Sequence, residues 1–285
     1  MPLSTEMVGQ QIPPLEHQVD ARWLMAYAAS LNDTLNCYMD TTAGAVIAHP
    51  VFPVCPEWPV ILKLREMAGG QTLTSEEAAR GVHAAHDLHI HQPIKAGDRI
   101  KTTATMIGIN QIKPGAAYTL RLDTHDANSG TLLAQTYQLG IYRGVSISGG
   151  DRTVETPPAL PILSDLDNGV VETIDVGAGA AHVYTECARI WNPIHTDRKI
   201  AIDAGLPDII LHGTATLALA ISSLVKRYAG GNPKSVIRLG GRFAAMVLLP
   251  SQISIVSTIA GDTISFQVQN AQGDLAVSKG YMVLG

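Results

Sequence analysis

The sequence predicts an α+β architecture built twice, each half packing a helix against a curled antiparallel sheet. Three observations carry this. The order of elements before residue 146 is echoed after residue 167, across a stretch (146–167) rich in Gly, Ser and Pro with little periodicity, as a linker should be. Strict apolar/polar alternation, plain in Thr263-Ile264-Ser265-Phe266-Gln267-Val268-Gln269, marks strands with one buried face. Each half also closes on an Asn/Gly hairpin: Asp126-Ala127-Asn128-Ser129-Gly130 in the first, Asn270-Ala271-Gln272-Gly273-Asp274 in the second.

In chain order, the first half reads as a helix over 21–31, a polar segment over 32–40, and strands over 81–93, 99–109, 117–124 and 132–142. The turn Lys95-Ala96-Gly97-Asp98 joins the first two strands. The second half reads as a polar segment over 187–197, helices over 198–204 and 214–227, and strands over 236–245, 252–259, 263–270 and 275–283. The expected units are therefore 1–145, a linker at 146–167, and 168–285.

Composition narrows the function classes. Of 285 residues, 46% are hydrophobic and only 16% charged, so much surface is expected to be covered, between the halves or in a homodimer. A net charge of −5 with no Lys/Arg run argues against a nucleic-acid partner. Three scattered cysteines make neither a disulfide framework nor a zinc knuckle. The first residues have no apolar core of a secretory signal, and no apolar run is long enough to cross a membrane. A cytoplasmic protein is expected.

The chemistry concentrates in two loop-to-helix junctions. Trp191-Asn192-Pro193-Ile194-His195-Thr196-Asp197 puts a proline-stiffened turn before a polar cluster, and Asp197 is placed to cap the next helix. Ile209-Ile210-Leu211-His212-Gly213-Thr214 runs from an apolar stretch into another helix. His195 is the expected general base or acid, since an imidazole titrates near working pH. Asn192 is the expected positioner of water or substrate, although Asn before Pro is also a common turn residue. Unpaired N–H groups at Gly213 and Thr214 can hold a developing oxyanion; a glycine there also lets strand and helix approach closely. His212 is expected to support the site from behind. Asp197 reads mainly as a cap, with a direct catalytic role as the lesser alternative.

These junctions resemble the signature of the MaoC-like, or hydratase 2, family of (R)-specific enoyl-CoA hydratases and dehydratases. That family reads Tyr-x-x-Ser-Gly-Asp-x-Asn-Pro-Leu-His-x-Asp, then a helix, then Leu-His-Gly. The resemblance covers nearly the whole chain and is strongest over 184–219. It implies a double hot-dog fold, an acyl-CoA or acyl-carrier-protein thioester substrate, and no metal or organic cofactor. The family's catalytic aspartate falls on Ile190 and its preceding glycine on Arg189. Ile190 is expected to line the pocket as an apolar wall. Glu186 is the nearest carboxylate able to substitute, sharing a helical face with Ile190. In the first half, 33–40 is a faded copy of the signature with Asp33 and Asn36 but no histidine, and His49-Pro50-Val51-Phe52-Pro53 replaces the Leu-His-Gly junction.

The expected activity is acyl-thioester hydration or dehydration. The rivals are a catalytically silent acyl-thioester-binding or partner subunit, kept open by Ile190, and a hot-dog thioesterase. The run His83-Ala84-Ala85-His86-Asp87-Leu88-His89-Ile90-His91 suggests a metal site at first sight. On a strand, however, its side chains split between two faces and do not converge.

Overall fold

The computed structural model describes residues 2–285. In chain order the first half contains β1 (Leu3–Ser4), β2 (Gln11–Gln18), α1 (Ala21–Ser30), α2 (Asn36–Met39), α3 (Val54–Leu62), α4 (Ser75–Ala79), β3 (Gly81–Ile90), β4 (Arg99–Ile112), β5 (Gly115–Asp126) and β6 (Leu132–Arg143). Two short strands follow, β7 (Ile147–Ser148) and β8 (Arg152–Thr153). The second half contains β9 (Val170–Val176), α5 (Ala180–Ala188), α6 (Arg198–Asp203), α7 (Gly213–Tyr228), β10 (Val236–Phe243), β11 (Ser251–Ala260), β12 (Thr263–Gln269) and β13 (Leu275–Leu284).

Ten strands form one continuous run, β2-β4-β5-β6-β3-β10-β13-β12-β11-β9, with β8 attached to β4. Read inward from either end the order is the same: first strand, third, fourth, fifth, second. The halves are therefore related by a pseudo-twofold at the antiparallel β3–β10 pair, where Leu88 faces Leu239. That pairing consumes one open edge of each half-sheet. At the same axis Tyr27 of α1 and Tyr184 of α5 meet, hydroxyl to hydroxyl, at 3.3 Å. This is a double hot-dog fold of the α+β class.

The helices lie on one face of the sheet. Asp20 caps α1 by accepting the Trp23 N–H at 2.7 Å, and Asp197 caps α6 by accepting the Ile200 N–H at 3.2 Å. The central helix α7 buries Leu217, Ile221, Leu224 and Val225 against the sheet, while Ala215, Ala218 and Ala220 let the strands close around it. On the opposite face the segment after β8 lies against the sheet rather than hanging free. Glu155 pairs with Arg121 and accepts from the Tyr137 hydroxyl, Ala159 O accepts from Arg238, and the Ser164 N–H donates to Ser265.

Several elements have no counterpart in the sequence reading: the short strands β1, β7 and β8, the helices α2, α3, α4 and α5, and the opening strands β2 and β9. β2 carries Pro13 and Pro14, and β9 is an exposed outer strand, so neither shows an apolar face. α3 contains Pro56 and Pro59, which in a surface helix argue against helix altogether. Here Val54, Cys55 and Val60 are buried, and core packing sustains the turn.

Candidate active site

The site begins where α5 stops. Arg189 adopts φ 58°, the left-handed conformation, and the Ile190 N–H returns to the Thr185 carbonyl at 3.1 Å. Glycine is the usual residue for such a stop, which explains a glycine in the family pattern at this place. Arg189 is held there by its guanidinium, 3.9 Å from the centre of the Trp23 ring. The chain then extends through Asn192 and tightens into a single 3-10 turn, Pro193–His195.

That turn points His195 inward. It is 9% exposed, and its Nδ1 lies 2.8 Å from the Ile210 carbonyl oxygen. A carbonyl can only accept, so Nδ1 carries the proton and Nε2 of the neutral ring keeps its lone pair. Burial pulls the pKa of His195 down to about 4, the bond to Ile210 opposing the shift. The ring of His212 stacks on it, centroids 3.6 Å apart at 26°. His212 is also shifted below its ordinary value, first by burial and then by His195. Two imidazoles this close stay neutral because charging either is opposed by burial. The Nε2 of His212 meets the Thr185 hydroxyl at 3.2 Å.

His212 is the residue before α7 and offers no side-chain cap. The first intrahelical bond, Thr216 N–H to His212 O at 3.0 Å, leaves the preceding N–H groups of Gly213, Thr214 and Ala215 without intrahelical partners. A Cβ on Gly213 would stand 3.0 Å from the Phe243 ring, so the glycine also serves close packing. Thr214 Oγ1 accepts from the Tyr184 hydroxyl at 3.2 Å, tying this helix start to the Tyr27–Tyr184 pair on the pseudo-twofold. An uncapped helix start beside a neutral imidazole is equipped to stabilise negative charge while a proton moves.

An open cavity of about 280 Å³ adjoins these groups, lined by His182, Thr185, Glu186, Trp191, Pro193 and Thr196. Its wall reaches the histidine pair through Thr185. Glu186 stands exposed on that wall and accepts from Trp191 Nε1 at 3.4 Å. Asn192 is half-buried and is fixed through its backbone, which bonds Ile190 O and His195 N–H. Ile190 is 6% exposed and packs in the large apolar core, and it is not among the lining residues of this cavity. Asp197 is exposed and acts as the α6 cap.

Thr185 and His182 were missed by reading the sequence. The signal for Thr185 was the spacing of Ala181, Tyr184, Thr185 and Ala188, which marks the buried face of α5, whereas His182 is exposed and lies off that face. The histidine-rich strand β3 splits as its alternation requires. Leu88 faces the core, while Asp87 accepts two hydrogen bonds from Arg238, one from Tyr281 and one from His89. Among the described residues no group of three or more His, Cys, Asp or Glu side chains is placed to hold a metal ion. Nor is any helix long and apolar enough to cross a membrane.

A double hot-dog chain with a buried histidine pair at the start of its second central helix defines a class, and comparison shows what each half is similar to. Residues 173–280 match the MaoC-like domain, and residues 6–133 match the FAS1-like dehydratase domain region. The chain is 28% identical to 3-hydroxyacyl-thioester dehydratase Y of Mycobacterium tuberculosis, covering 71% of this chain and 70% of that protein. It is 20% identical to the peroxisomal enoyl-CoA hydratase 2 of Arabidopsis thaliana, covering 97% and 93%. Among solved structures, a MaoC-like dehydratase from Phytophthora capsici superposes with a TM-score of 0.84 at 18% identity, covering 97% and 95%. A Mycobacterium tuberculosis protein described as having a double hotdog fold superposes at 0.61, with 16% identity and 98% and 96% covered. The second half thus carries a MaoC-like domain and the first half a FAS1-like dehydratase region, and the chain is similar along most of its length to proteins named as hydratases and dehydratases.

Proposed function

We propose that this protein interconverts a 2-enoyl thioester and a 3-hydroxyacyl thioester, with the reaction carried by the second half. The observation that carries the reading is the orientation of His195: Nδ1 is committed to Ile210 O, and Nε2 is a free base beside the start of α7. In hydration, Nε2 takes a proton from water as the water oxygen bonds C3 of the substrate. The C2=C3 electron pair moves into the thioester, and the oxyanion is held by N–H groups at Gly213 and Thr214. The imidazolium then returns its proton to C2, so one group serves as base and acid in turn. Dehydration runs these steps backwards. Asn192 is the proposed positioner of the water, and the resemblance supports (R)-stereochemistry with either coenzyme A or a carrier protein as thioester donor. A homodimer in the cytoplasm accompanies this reading, checked by sedimentation and fractionation.

The test is incubation with a panel of 2-enoyl-CoA and 3-hydroxyacyl-CoA thioesters, following the enoyl absorbance. Turnover that disappears in His195→Ala and is only lowered in Asn192→Ala is expected. A second reading rests on Ile190: a family member without the aspartate can bind acyl thioesters or a partner subunit without turning them over. Tight thioester binding with no reaction across the panel would favour it. Release of free thiol instead would indicate a thioesterase.

A further inference from the structure

The first half holds the remains of a second site, and the pseudo-twofold identifies its members one by one. Asn32, at φ 54°, ends α1 as Arg189, at φ 58°, ends α5. The Asp33 N–H returns to Ala28 O at 3.0 Å, as the Ile190 N–H returns to Thr185 O. Asp33 therefore stands where Ile190 stands, and Tyr38, five residues on, stands where His195 does. Ile47 bridges to Lys95 as Ile210 bridges to Leu248. Counting on by two, His49 matches His212, and Pro50 matches Gly213. Proline has no N–H, so this half has lost the donor that would hold an oxyanion.

A site that has lost its chemistry would be expected to fill with apolar side chains, because a buried charge is costly unless paired. This one has not. Asp33, Tyr38 and His49 are 0%, 0% and 1% exposed. Asp33 and His49 each make a polar contact outside their own half, and both contacts go to α7, the central helix of the other half. Lys226 Nζ lies 3.2 Å from Asp33 Oδ1, and His49 Nε2 lies 3.0 Å from Ser222 Oγ. His49 Nδ1 accepts the Val51 N–H at 3.1 Å, so its Nε2 carries the proton and donates to Ser222. Ser222 and Lys226 are four residues apart, on one face of α7. Among the described residues the reverse contact is absent. Counted from the same matched pair, α3 presents Pro59 where α7 presents Ser222, and His212 turns instead to Thr185 of its own half.

We propose that the retired site has become a clamp on α7, with Asp33 and His49 acting as positioning residues for the active half. α7 is one unbroken helix from Gly213 to Tyr228. Fixing it at Ser222 and Lys226 fixes its axial position and rotation, and hence where its first N–H groups and His212 sit. Displacements well under an ångström at such donors are enough to change rates, since about 1 Å can cost about a hundredfold.

This inference rests on the proposal that the second half carries the site, so its test has a readout that needs no substrate. Ser222→Ala and Asp33→Asn are compared with wild type by hydrogen exchange of the α7 backbone and by kcat and KM on the preferred thioester. Expected are faster exchange confined to α7, kcat lower by about tenfold, KM within about twofold, and a melting point still above the assay temperature. His49→Gln, which keeps a donor toward Ser222, should retain most of kcat, whereas His49→Leu should not. Unchanged α7 exchange with unchanged kcat would overturn the clamp. So would exchange that rises equally in both halves while kcat follows only the folded fraction. If wild type turns over no thioester, the exchange result decides alone: loosening confined to α7 supports the clamp, and none refutes it.

Discussion

A base that is neutral throughout the working range should reveal itself in the pH profile. Burial moves His195 from 6.5 to about 4, even against its bond to the Ile210 carbonyl. A displacement of that size corresponds to about 3 kcal/mol in favour of the neutral ring. If His195 Nε2 is the base, kcat/KM should stay level from pH 8 down through 6.5. It should bend only near pH 4, then fall tenfold per unit, because kcat/KM reports the free enzyme. An ordinary exposed imidazole would bend near 6.5. The assay is initial enoyl-absorbance rates after brief jumps from a pH 7 stock, so that slow acid unfolding does not distort the profile. A carbon NMR titration of the His195 Cε1 signal reads the same ionisation directly. A limb between pH 6 and 7, together with His195 titrating there, would refute the desolvated-base argument. Near wild-type rates in His195→Ala would refute the site assignment itself.

Other outcomes follow from particular residues. Ile190→Asp removes buried aliphatic packing and adds a carboxyl, so it should lower stability by about 3 kcal/mol in denaturant titrations while raising turnover of simple 2-enoyl-CoAs. If turnover does not rise and Glu186→Gln costs as much as His195→Ala, Glu186 is the second group; if both substitutions leave the kinetics untouched, the silent-subunit reading gains. Glu57 is fully buried, and burial raises it to about 8 despite a bond from the Thr136 hydroxyl. Its folded value lies above its unfolded one, so its stabilising influence is complete below pH 4.5 and is lost as pH rises through 8. Glu57→Gln should therefore gain in melting temperature over wild type across that window, and equal pH slopes would count against this. Buried His49, His86 and His195, each pulled to about 4, run the other way. Their contribution is present above pH 6.5 and lost as pH falls through 4, so the melting point should drop steeply over that interval. Arg189→Gly relieves about 1 kcal/mol of left-handed strain and forfeits a stacking contact of similar size, so its stability should barely change. Arg189→Val keeps the strain and loses the contact, and should cost about 1 kcal/mol by chemical denaturation.

Much of this fold was legible because a sheet with helices on one face writes alternation into its strands. β12 and β13 declare themselves, and the paired hairpins declare the duplication. The elements that stayed hidden lack such a signature for physical reasons. β2 and β9 lie at the two ends of the sheet, where the outer side chains meet water. α3 survives its prolines because its surroundings are buried. α5 ends on an arginine in a glycine conformation, so the usual stop signal is missing. The site followed the same pattern. His195, His212 and Gly213 stand in linear motifs, and the sequence reading named all three. Thr185 belongs to the unassigned helix and meets His212 only in three dimensions, across 27 residues.

If the second half carries the reaction as proposed, the two halves have lost different members of one constellation, and the cations available to each account for that division. The first half keeps a buried carboxylate at Asp33 because Lys226 reaches it from α7. By the same count the position equivalent to Lys226 is Lys63, which lies 3.7 Å from Glu66 on its own surface turn. A carboxylate at position 190 would then face burial without that counter-charge, and buried ions without partners are strongly disfavoured. Isoleucine is the apolar solution at that place, buried in the main core that also holds Ala188 and Leu211. In the proposed reaction the cost falls on chemistry rather than on folding: the imidazole beside the start of α7 would move both protons itself.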